Sequence, residues 1–283
     1  MTPTARFGER LAAAMAAHGP LCAGIDPHAP LLAAWGLSDD AAGVERFGRT
    51  VVEALAGNVA CVKPQAAFFE RHGSRGVAAL ERVVADARAA GLLTIVDAKR
   101  GDIGSTMAAY ADAFVGDSPL AGDAVTVSPY LGFGSLRPVL DLAAANGRGV
   151  FVLALTSNAE GAGVQHALGH DGRSVARAVA ESAARENSGA SPFGDVGLVV
   201  GATVGSAVED LGIDLDAVNG PLLAPGVGAQ GATAQDLQRV FGHGRRLVLA
   251  SSSREVLQTG PDVTALRDAA RRSADAVGVA LAR

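Results

Sequence analysis

Eight continuously apolar segments of strand length recur along the chain. They span residues 21–27, 59–65, 92–99, 124–130, 149–157, 196–203, 221–228 and 247–254. A strand with one face in water alternates apolar and polar residues, whereas a strand covered on both faces reads as a continuous apolar run. The pattern therefore predicts eight buried strands.

The intervals between these segments predict helices. In residues 41–56, 76–90 and 264–281, apolar residues recur with the spacing of a helix face among Ala, Leu, Arg and Glu. Strands that alternate with helices form parallel βα units, and eight such units in 283 residues predict an α/β fold, a (β/α)8 TIM barrel, as a single domain over 1–283. An open, doubly wound sheet is the structural alternative.

Two further segments complete the predicted barrel. Residues 1–18 predict an N-terminal helix that closes the bottom of the barrel. The interval after the fifth strand is longer than the others, and we interpret it as an insertion. It contains residues 158–165, a helix near 174–185 and a polar stretch at 186–192. Because long loops in compact domains are usually functional, we expect its first part to lie over the active-site end.

Composition and charge narrow the class of protein. Hydrophobic residues make up 49% of the chain, so a large core is available, and the net charge of −5 comes from interspersed acids and bases. This argues against nucleic acid or an anionic membrane as the main partner, and it leaves room for a basic pocket that binds a small phosphate. Cys22 and Cys61 lie in apolar runs and predict buried free thiols. We find no signal-peptide pattern and no membrane-spanning stretch, so we expect a soluble, cytoplasmic protein.

Polar residues concentrate at the carboxyl ends of six predicted strands, where barrels of this type build their active sites. These ends are residues 24–27, 63–65, 97–99, 156–158, 225–230 and 251–254. Each one alone is explained by a turn, a surface lysine or a helix cap. Together they predict a functional site.

The third strand end carries the most informative charges, Asp97, Lys99 and Asp102. Residues two apart in a strand point to the same face, so Asp97 and Lys99 should emerge side by side. Asp102 follows a turn and reaches the same ammonium from its own subunit or from a neighbour. Flanking carboxylates favour the ammonium form of a lysine, which predicts a cation held ready to donate a proton. A strand-end salt bridge is the simpler alternative.

The seventh and eighth strand ends predict a phosphate site, because barrels often bind phosphate with these two loops. The segment that begins at Pro225 offers backbone N–H groups in a glycine-rich turn, Gln230 supplies a donor and an acceptor, and Arg254 supplies a planar cation. A tight turn beside a surface arginine is the alternative. The histidines form no metal-binding spacing, although His166 and His170 are four residues apart, and no dinucleotide-binding glycine motif follows the first strand.

These residues resemble a known family. Residues 97–106, Asp-Ala-Lys-Arg-Gly-Asp-Ile-Gly-Ser-Thr, are similar to the signature of the orotidine 5′-phosphate decarboxylase family. Its longer bacterial subfamily also shows the segments found here at 62–70, 155–158 and 224–231. The resemblance runs from residue 23 to residue 254, nearly the whole predicted barrel.

The resemblance implies an activity and an assembly. The family decarboxylates orotidine 5′-phosphate to UMP, the last step of pyrimidine nucleotide synthesis, with no metal and no organic cofactor. The resemblance also implies a homodimer with shared active sites. The implied catalytic residues are Lys99 as the proton donor to C6 of the pyrimidine, Asp97 beside the departing carboxylate, Asp102 in the neighbouring subunit's site, and Lys63 as the link to the ribose.

The resemblance also implies the residues that bind the substrate. They are Asp26 at the ribose hydroxyls, Ile103 and Thr106 across the dimer with Asp102, Ser157 at the pyrimidine edge, and Gln230 and Arg254 at the phosphate, where Pro225 begins the glycine-rich turn. The sequence departs from the expected pattern at Ala159, where we expect proline, and at Glu255 and Val256, where we expect Gly-Ile. The second departure puts a carboxylate next to Arg254.

Two other functions are compatible with the same residues. One is a related sugar-phosphate decarboxylase or aldolase-like barrel, which would need Mg²⁺ or a Schiff-base lysine. The other is a non-catalytic barrel that binds a nucleotide phosphate and regulates a partner. Charged residues at so many strand ends favour an enzyme over the second alternative.

Overall fold

The computed structural model describes residues 5–227 and 232–282. Its eight strands are β1 Leu21–Ile25, β2 Cys61–Pro64, β3 Leu93–Arg100, β4 Ala124–Val127, β5 Gly149–Leu155, β6 Val196–Val200, β7 Leu222–Pro225 and β8 Val248–Ser252. Each strand lies within the apolar segment predicted for it or ends one residue beyond it. Most of their residues are buried, as continuous apolar runs require.

The strands form one closed, parallel barrel in chain order, because β1 pairs with β8 as well as with β2. Along β1, Cys22 lies opposite Cys61 and Gly24 lies opposite Lys63. The predicted (β/α)8 barrel is therefore confirmed, and the open doubly wound sheet is wrong. Closure brings the carboxyl ends of all eight strands to one rim, which is the geometry that a shared site needs.

The helices surround this barrel. They are α1 Phe7–His18, α2 Ala29–Ala34, α3 Ala41–Leu55, α4 Ala67–Glu70, α5 Gly73–Ala89, α6 Gly104–Val115, α7 Arg137–Ala145, α8 Ala162–Gln165, α9 Val175–Glu186, α10 Ala207–Asp210, α11 Ala234–Phe241, α12 Arg254–Leu257 and α13 Val263–Ala282. The helices predicted over 41–56, 76–90, 174–185 and 264–281 appear as α3, α5, α9 and α13 with small shifts of their ends. Helices α3 and α9 begin at side-chain caps, where Asp40 accepts from the backbone N–H of Gly43 and Ser174 from that of Arg177.

Helix α1 packs against the amino-terminal end of the barrel, as predicted. The ring of Phe7 meets the ring of Phe151 edge to face, with centroids 6.0 Å apart. Arg10 forms an ion pair with Asp123, next to β4. The helix begins at Phe7, later than predicted, and residues 1–4 lie outside the described part of the chain.

The insertion after β5 is also present. Between β5 and α9 the chain forms a short 3₁₀ helix at Ala159–Gly161, then α8, then a bridge between Leu168 and Ser174. This segment follows the carboxyl end of β5, so it lies at the rim where the site is expected. No helix of the described ranges is long and apolar enough to cross a membrane.

Candidate active site

A cavity of about 370 Å³ opens at the carboxyl ends of the strands. Most of the predicted site residues line it, namely Asp26, Lys63, Asp97, Lys99, Ser157, Pro225 and Arg254. Apolar side chains of β5, β6 and β7 form part of its wall, namely Leu153, Val199 and Leu223. The cavity thus combines an apolar wall with charged groups, which is the usual composition of a small-molecule site.

The charged residues form a connected network centred on Asp97. Its Oδ2 accepts a hydrogen bond from Lys63 Nζ at 2.8 Å, and its Oδ1 accepts one from Lys99 Nζ at 2.6 Å. The side chains of Lys63 and Asp97 are 9% and 8% exposed, whereas that of Lys99 is 43% exposed. Asp97 therefore joins a buried cation to one that faces the open cavity.

Thr126 on β4 joins this network and was not predicted. Its hydroxyl donates to Asp97 Oδ1 at 2.8 Å and accepts from the backbone N–H of Lys99 at 2.9 Å. Thr126 is buried and lines the cavity. The only sequence signal for it was a polar residue inside an apolar strand, Ala-Val-Thr-Val.

Electrostatic attraction keeps the buried side chains of Asp97 and Lys63 ionised. Burial by itself raises the pKa of Asp97, but the ammonium groups of Lys63 and Lys99 outweigh it and lower the pKa to about 2. Burial lowers the pKa of Lys63, and the carboxylates of Asp97 and Asp26 outweigh that effect, so its pKa is raised. Asp97 and Lys63 are therefore a buried pair that is charged at neutral pH.

Lys99 has a left-handed backbone conformation, with φ of 49°. Its only non-glycine counterpart in the described ranges is Asn219. The pairing of β3 with β4 shifts register between Val96 and Arg100, so the strand is irregular where Lys99 lies. Asp97 and Lys99 do meet, as predicted, but through this irregular turn rather than through regular strand alternation. Such a conformation costs on the order of 1–3 kcal/mol and persists only where its surroundings impose it.

Gln65, at the end of β2, also approaches the network. With its amide oriented to satisfy both neighbours, its oxygen accepts from Lys99 Nζ at 3.3 Å and its nitrogen donates to the carbonyl of Asp97. The sequence placed Gln65 at a strand end but gave it no role. It contributes a second acceptor for the Lys99 ammonium.

Two polar atoms near the network lack hydrogen-bond partners among the described residues. They are Oδ1 of Asp26 and Oγ of Ser252, both buried on residues that line the cavity. Buried polar groups are normally paired, so these atoms indicate a ligand with hydroxyl or amide groups. Ser252, like Thr126 and Gln65, has no predicted role of its own, although it lies within the predicted strand end at 251–254.

The predicted phosphate end of the cavity is formed by the loops after β7 and β8. Pro225, Gly226 and Val227 line it after β7, and Arg254 lines it after β8. Gln230, predicted to join them, lies outside the described residues. Glu255 is exposed and does not line the cavity, so the carboxylate expected to lie near the phosphate points elsewhere.

The start of the β5 insertion is fixed at the cavity rim by Gln165. Its side chain accepts from the backbone N–H of Thr156 at 2.9 Å and donates to the Thr156 hydroxyl at 2.7 Å. Ser157 and Asn158 follow and line the cavity. Gln165 was not predicted, because its contact with Thr156 depends on how α8 folds back.

Asp102, Ile103 and Thr106 do not line the cavity of their own chain. They lie at the start of α6, where Asp102 Oδ1 accepts from the backbone N–H of Ile103 at 2.8 Å. Ile103 is 62% exposed, and Thr106 is exposed as well. A single chain thus brings Asp97 to Lys99 but leaves Asp102 outside the cavity.

No cluster of three or more His, Cys, Asp and Glu side chains suited to a metal ion occurs within 5–227 and 232–282.

Comparisons with known proteins agree with this architecture. Residues 19–269 match the model of the orotidine 5′-phosphate decarboxylase / HUMPS family. The chain is 64% identical over 270 residues to an orotidine 5′-phosphate decarboxylase of Streptomyces coelicolor, covering 95% of each protein. It is 62% identical over 267 residues to one of Salinispora arenicola, covering 94% of this chain and 95% of the relative.

A solved structure shows the same barrel. A crystal structure from Streptomyces avermitilis, described as a candidate orotidine 5′-phosphate decarboxylase, superposes with a TM-score of 0.94 at 62% identity. The match covers 99% of this chain and 97% of that one. The family model spans all eight strands of the barrel, and the identities far exceed what a shared fold alone produces. The chain belongs to the orotidine 5′-phosphate decarboxylase / HUMPS family.

Proposed function

We propose that this protein decarboxylates orotidine 5′-phosphate to UMP and CO₂, with the whole chain acting as one catalytic domain. The observation that carries the proposal is the pairing of a cavity-facing Lys99 ammonium with the buried Asp97–Lys63 pair, in a chain of this family. The reaction completes UMP synthesis, and we place it in the cytoplasm.

The chemical problem is the charge left on C6 of the pyrimidine when CO₂ departs. That carbanion has little resonance stabilisation, so a positive charge aimed at C6 lowers the energy of the transition state. Lys99 supplies the charge and then donates a proton to C6. Because Asp97 and Thr126 already hold Lys99, little reorganisation accompanies the development of charge.

The remaining residues bind and orient the substrate. Lys63 and Asp26 face the ribose, and the unpaired Oδ1 of Asp26 accepts from a ribose hydroxyl. Ser157 contacts the pyrimidine edge. Arg254, Gln230 and the backbone N–H groups of the glycine-rich turn that begins at Pro225 hold the phosphate. Phosphate binding lies away from the breaking bond, so its energy serves to close the site and exclude water.

We propose that the active unit is a homodimer with shared sites. Asp102, Ile103 and Thr106 lie outside the cavity of their own chain and include an exposed apolar side chain. Tyr130 is 77% exposed and Leu131 52% exposed, so the loop after β4 adds apolar surface that a second copy would cover. In this arrangement Asp102 of the partner subunit completes the acidic surroundings of Lys99.

An absorbance assay of orotidine 5′-phosphate consumption tests the proposal directly. We expect turnover to UMP that persists with a metal chelator present, and no trapping of Lys99 by borohydride. Chelator-sensitive turnover or a trapped Schiff base would favour the sugar-phosphate lyase or aldolase alternative. Binding of UMP without turnover would favour the non-catalytic regulator.

A further inference from the structure

Arg100, the residue after Lys99, makes contacts that neither the charge network nor substrate binding explains. One arm of its guanidinium donates to the carbonyl oxygen of Ala98 at 2.9 Å, and another forms an ion pair with Glu70. The guanidinium carbon lies 5.7 Å from the ring centre of Tyr110 and 5.4 Å from that of Phe114, both on α6. Guanidinium groups stack favourably on aromatic rings at such distances.

These contacts enclose the backbone of Lys99. Ala98 precedes it and Arg100 follows it, so the guanidinium of Arg100 reaches back across Lys99 to the preceding carbonyl. The carbonyl of Arg100 in turn accepts from the backbone N–H of Ser128 at 2.7 Å. The chain is therefore fixed on both sides of a residue whose left-handed conformation needs such support.

The ion pair with Glu70 adds a link between neighbouring strands. Glu70 ends α4, the short helix that follows β2, and β2 carries Lys63. Arg100 ends β3, which carries Asp97 and Lys99. The Arg100–Glu70 pair thus joins the two segments whose lysines share the Asp97 carboxylate.

Arg100 differs from the surface arginines of the same region. The nearby Arg71 pairs with Asp39, and these side chains are 36% and 43% exposed. The side chain of Arg100 is 26% exposed and has a backbone acceptor next to Lys99 as well as two aromatic neighbours. Exposed pairs such as Arg71–Asp39 contribute little to stability. The guanidinium of Arg100 is held on several sides, so it can fix the conformation of the backbone beside it.

We propose that Arg100 is a positioning residue, which holds the left-handed backbone of Lys99 and thereby aims its ammonium at Asp97 and at C6 of the substrate. This rests on the proposed function of Lys99. The effect should appear in the chemical step, because Arg100 does not line the cavity. Lysine cannot replace Arg100. An ammonium lacks the planar group that contacts the Ala98 carbonyl and the Glu70 carboxylate at once and also stacks on two aromatic rings.

The test compares Arg100→Met and Arg100→Lys with the control Arg71→Met. Misplacing a reacting group by about 1 Å costs about 100-fold, so we expect kcat of Arg100→Met to fall by about 10- to 100-fold with little change in KM. Arg100→Lys should recover little of this loss, and Arg71→Met should match the unsubstituted enzyme. Affinity for UMP should stay constant, while affinity for a UMP analogue with an oxyanion at C6 should fall as much as kcat does.

Three results would overturn the inference. They are an unchanged kcat in Arg100→Met, full recovery in Arg100→Lys, or a parallel loss of UMP affinity and kcat, which would indicate general disruption. If Arg100→Met does not fold, Glu70→Gln provides the second variant and should lower kcat in the same direction. If Glu70→Gln folds and keeps its kcat, the proposed positioning role of Arg100 through Glu70 is contradicted.

A crystal structure of Arg100→Lys separates this inference from the proposed function, because it requires no turnover. We expect φ of Lys99 to leave the left-handed region and its Nζ to leave Asp97. An unchanged Lys99 would contradict the positioning role even in an active enzyme. Absence of turnover in the unsubstituted protein would contradict the proposed function and leave this comparison valid.

Discussion

The hydroxyl of Thr126 lies 2.8 Å from Oδ1 of Asp97 and accepts from the backbone nitrogen of Lys99 at 2.9 Å. One uncharged side chain thus fixes both the carboxylate and the backbone of the lysine that pairs with it. Since Thr126 belongs to β4 and the other two residues to β3, the strand pairing of the barrel sets the geometry of the ion pair. The pairing of β3 with β4 therefore contributes directly to the rigidity of the charge network.

Removing the Thr126 hydroxyl should weaken this arrangement. In Thr126→Val, the Lys99 N–H and one Asp97 oxygen each lose a partner, and an unpaired buried group costs about 1–3 kcal/mol. We expect lower stability in urea unfolding. A loss of the same size in the transition state, where Asp97 and Lys99 act, would lower kcat by about 5- to 150-fold. Thr126→Ser keeps the hydroxyl and is the matched control. Equal activity of the Val and Ser variants would contradict the assigned contacts.

Asp97→Asn should destabilise the fold most at neutral pH. Removing one member of a buried ion pair costs about 3–5 kcal/mol, because the remaining charge stays buried. The pKa of Asp97 is lowered in the folded protein to about 2, so the unfolded chain takes up the proton first as pH falls. The stabilisation by Asp97 is thus complete above about pH 4 and is lost as pH falls toward about 2.

Urea unfolding at a series of pH values measures this dependence. The difference between the unsubstituted protein and Asp97→Asn should be largest near neutral pH and should shrink in acid. Asp86→Asn, which removes the exposed partner of Arg49, is the control and should show a small difference. A difference for Asp97→Asn that is constant across this pH range would contradict the lowered pKa.

Arg254→Ala should raise KM for orotidine 5′-phosphate more than it lowers kcat. Arg254 lines the cavity at the end of β8, away from the Lys99–Asp97 pair, and a charged hydrogen bond to phosphate contributes about 1.5–3 kcal/mol. We therefore expect KM to rise by about 10- to 100-fold. Arg246→Ala, which removes an exposed pair with Asp216, is the control. If Arg254→Ala keeps its KM, the phosphate lies elsewhere.

Mixed dimers test the shared site. Lys99→Ala and Asp102→Ala subunits should each be nearly inactive alone, since each lacks one charge of the site. In a heterodimer, one of the two sites would combine Lys99 of one subunit with Asp102 of the other. We expect activity to reappear when the two variants exchange subunits, followed in the same absorbance assay. Continued inactivity of verified heterodimers would show that Asp102 does not act across the dimer.

The sequence predicted most of the fold because the apolar runs are long and unambiguous. Continuous runs such as that of β5 and the helical spacing of α3 leave few alternatives once eight units are counted. The sequence also predicted that Lys63, Asp97 and Lys99 share one site, since a closed barrel places all strand ends at one rim. The sequence pattern does not define where a helix begins, and α1 starts at Phe7, later than predicted.

Other parts of the site could not be predicted, and each has a physical reason. Thr126 has the β-branched side chain of an ordinary strand residue, so its polar role was hidden. The left-handed backbone of Lys99 was unexpected because glycine usually occupies that conformation. The contacts of Arg100 join three elements, α4, β3 and α6, which only the folded chain brings together.

In the proposed reaction, the Lys99 ammonium faces C6 of the pyrimidine. A crystal structure of the protein with bound UMP measures this distance directly. We predict that Lys99 Nζ lies within about 3.5 Å of C6, as proton transfer requires, and that it keeps its contact with Asp97. UMP seated in this cavity with Nζ more than about 6 Å from C6 would contradict the role of Lys99 as proton donor, because no direct proton transfer spans that gap.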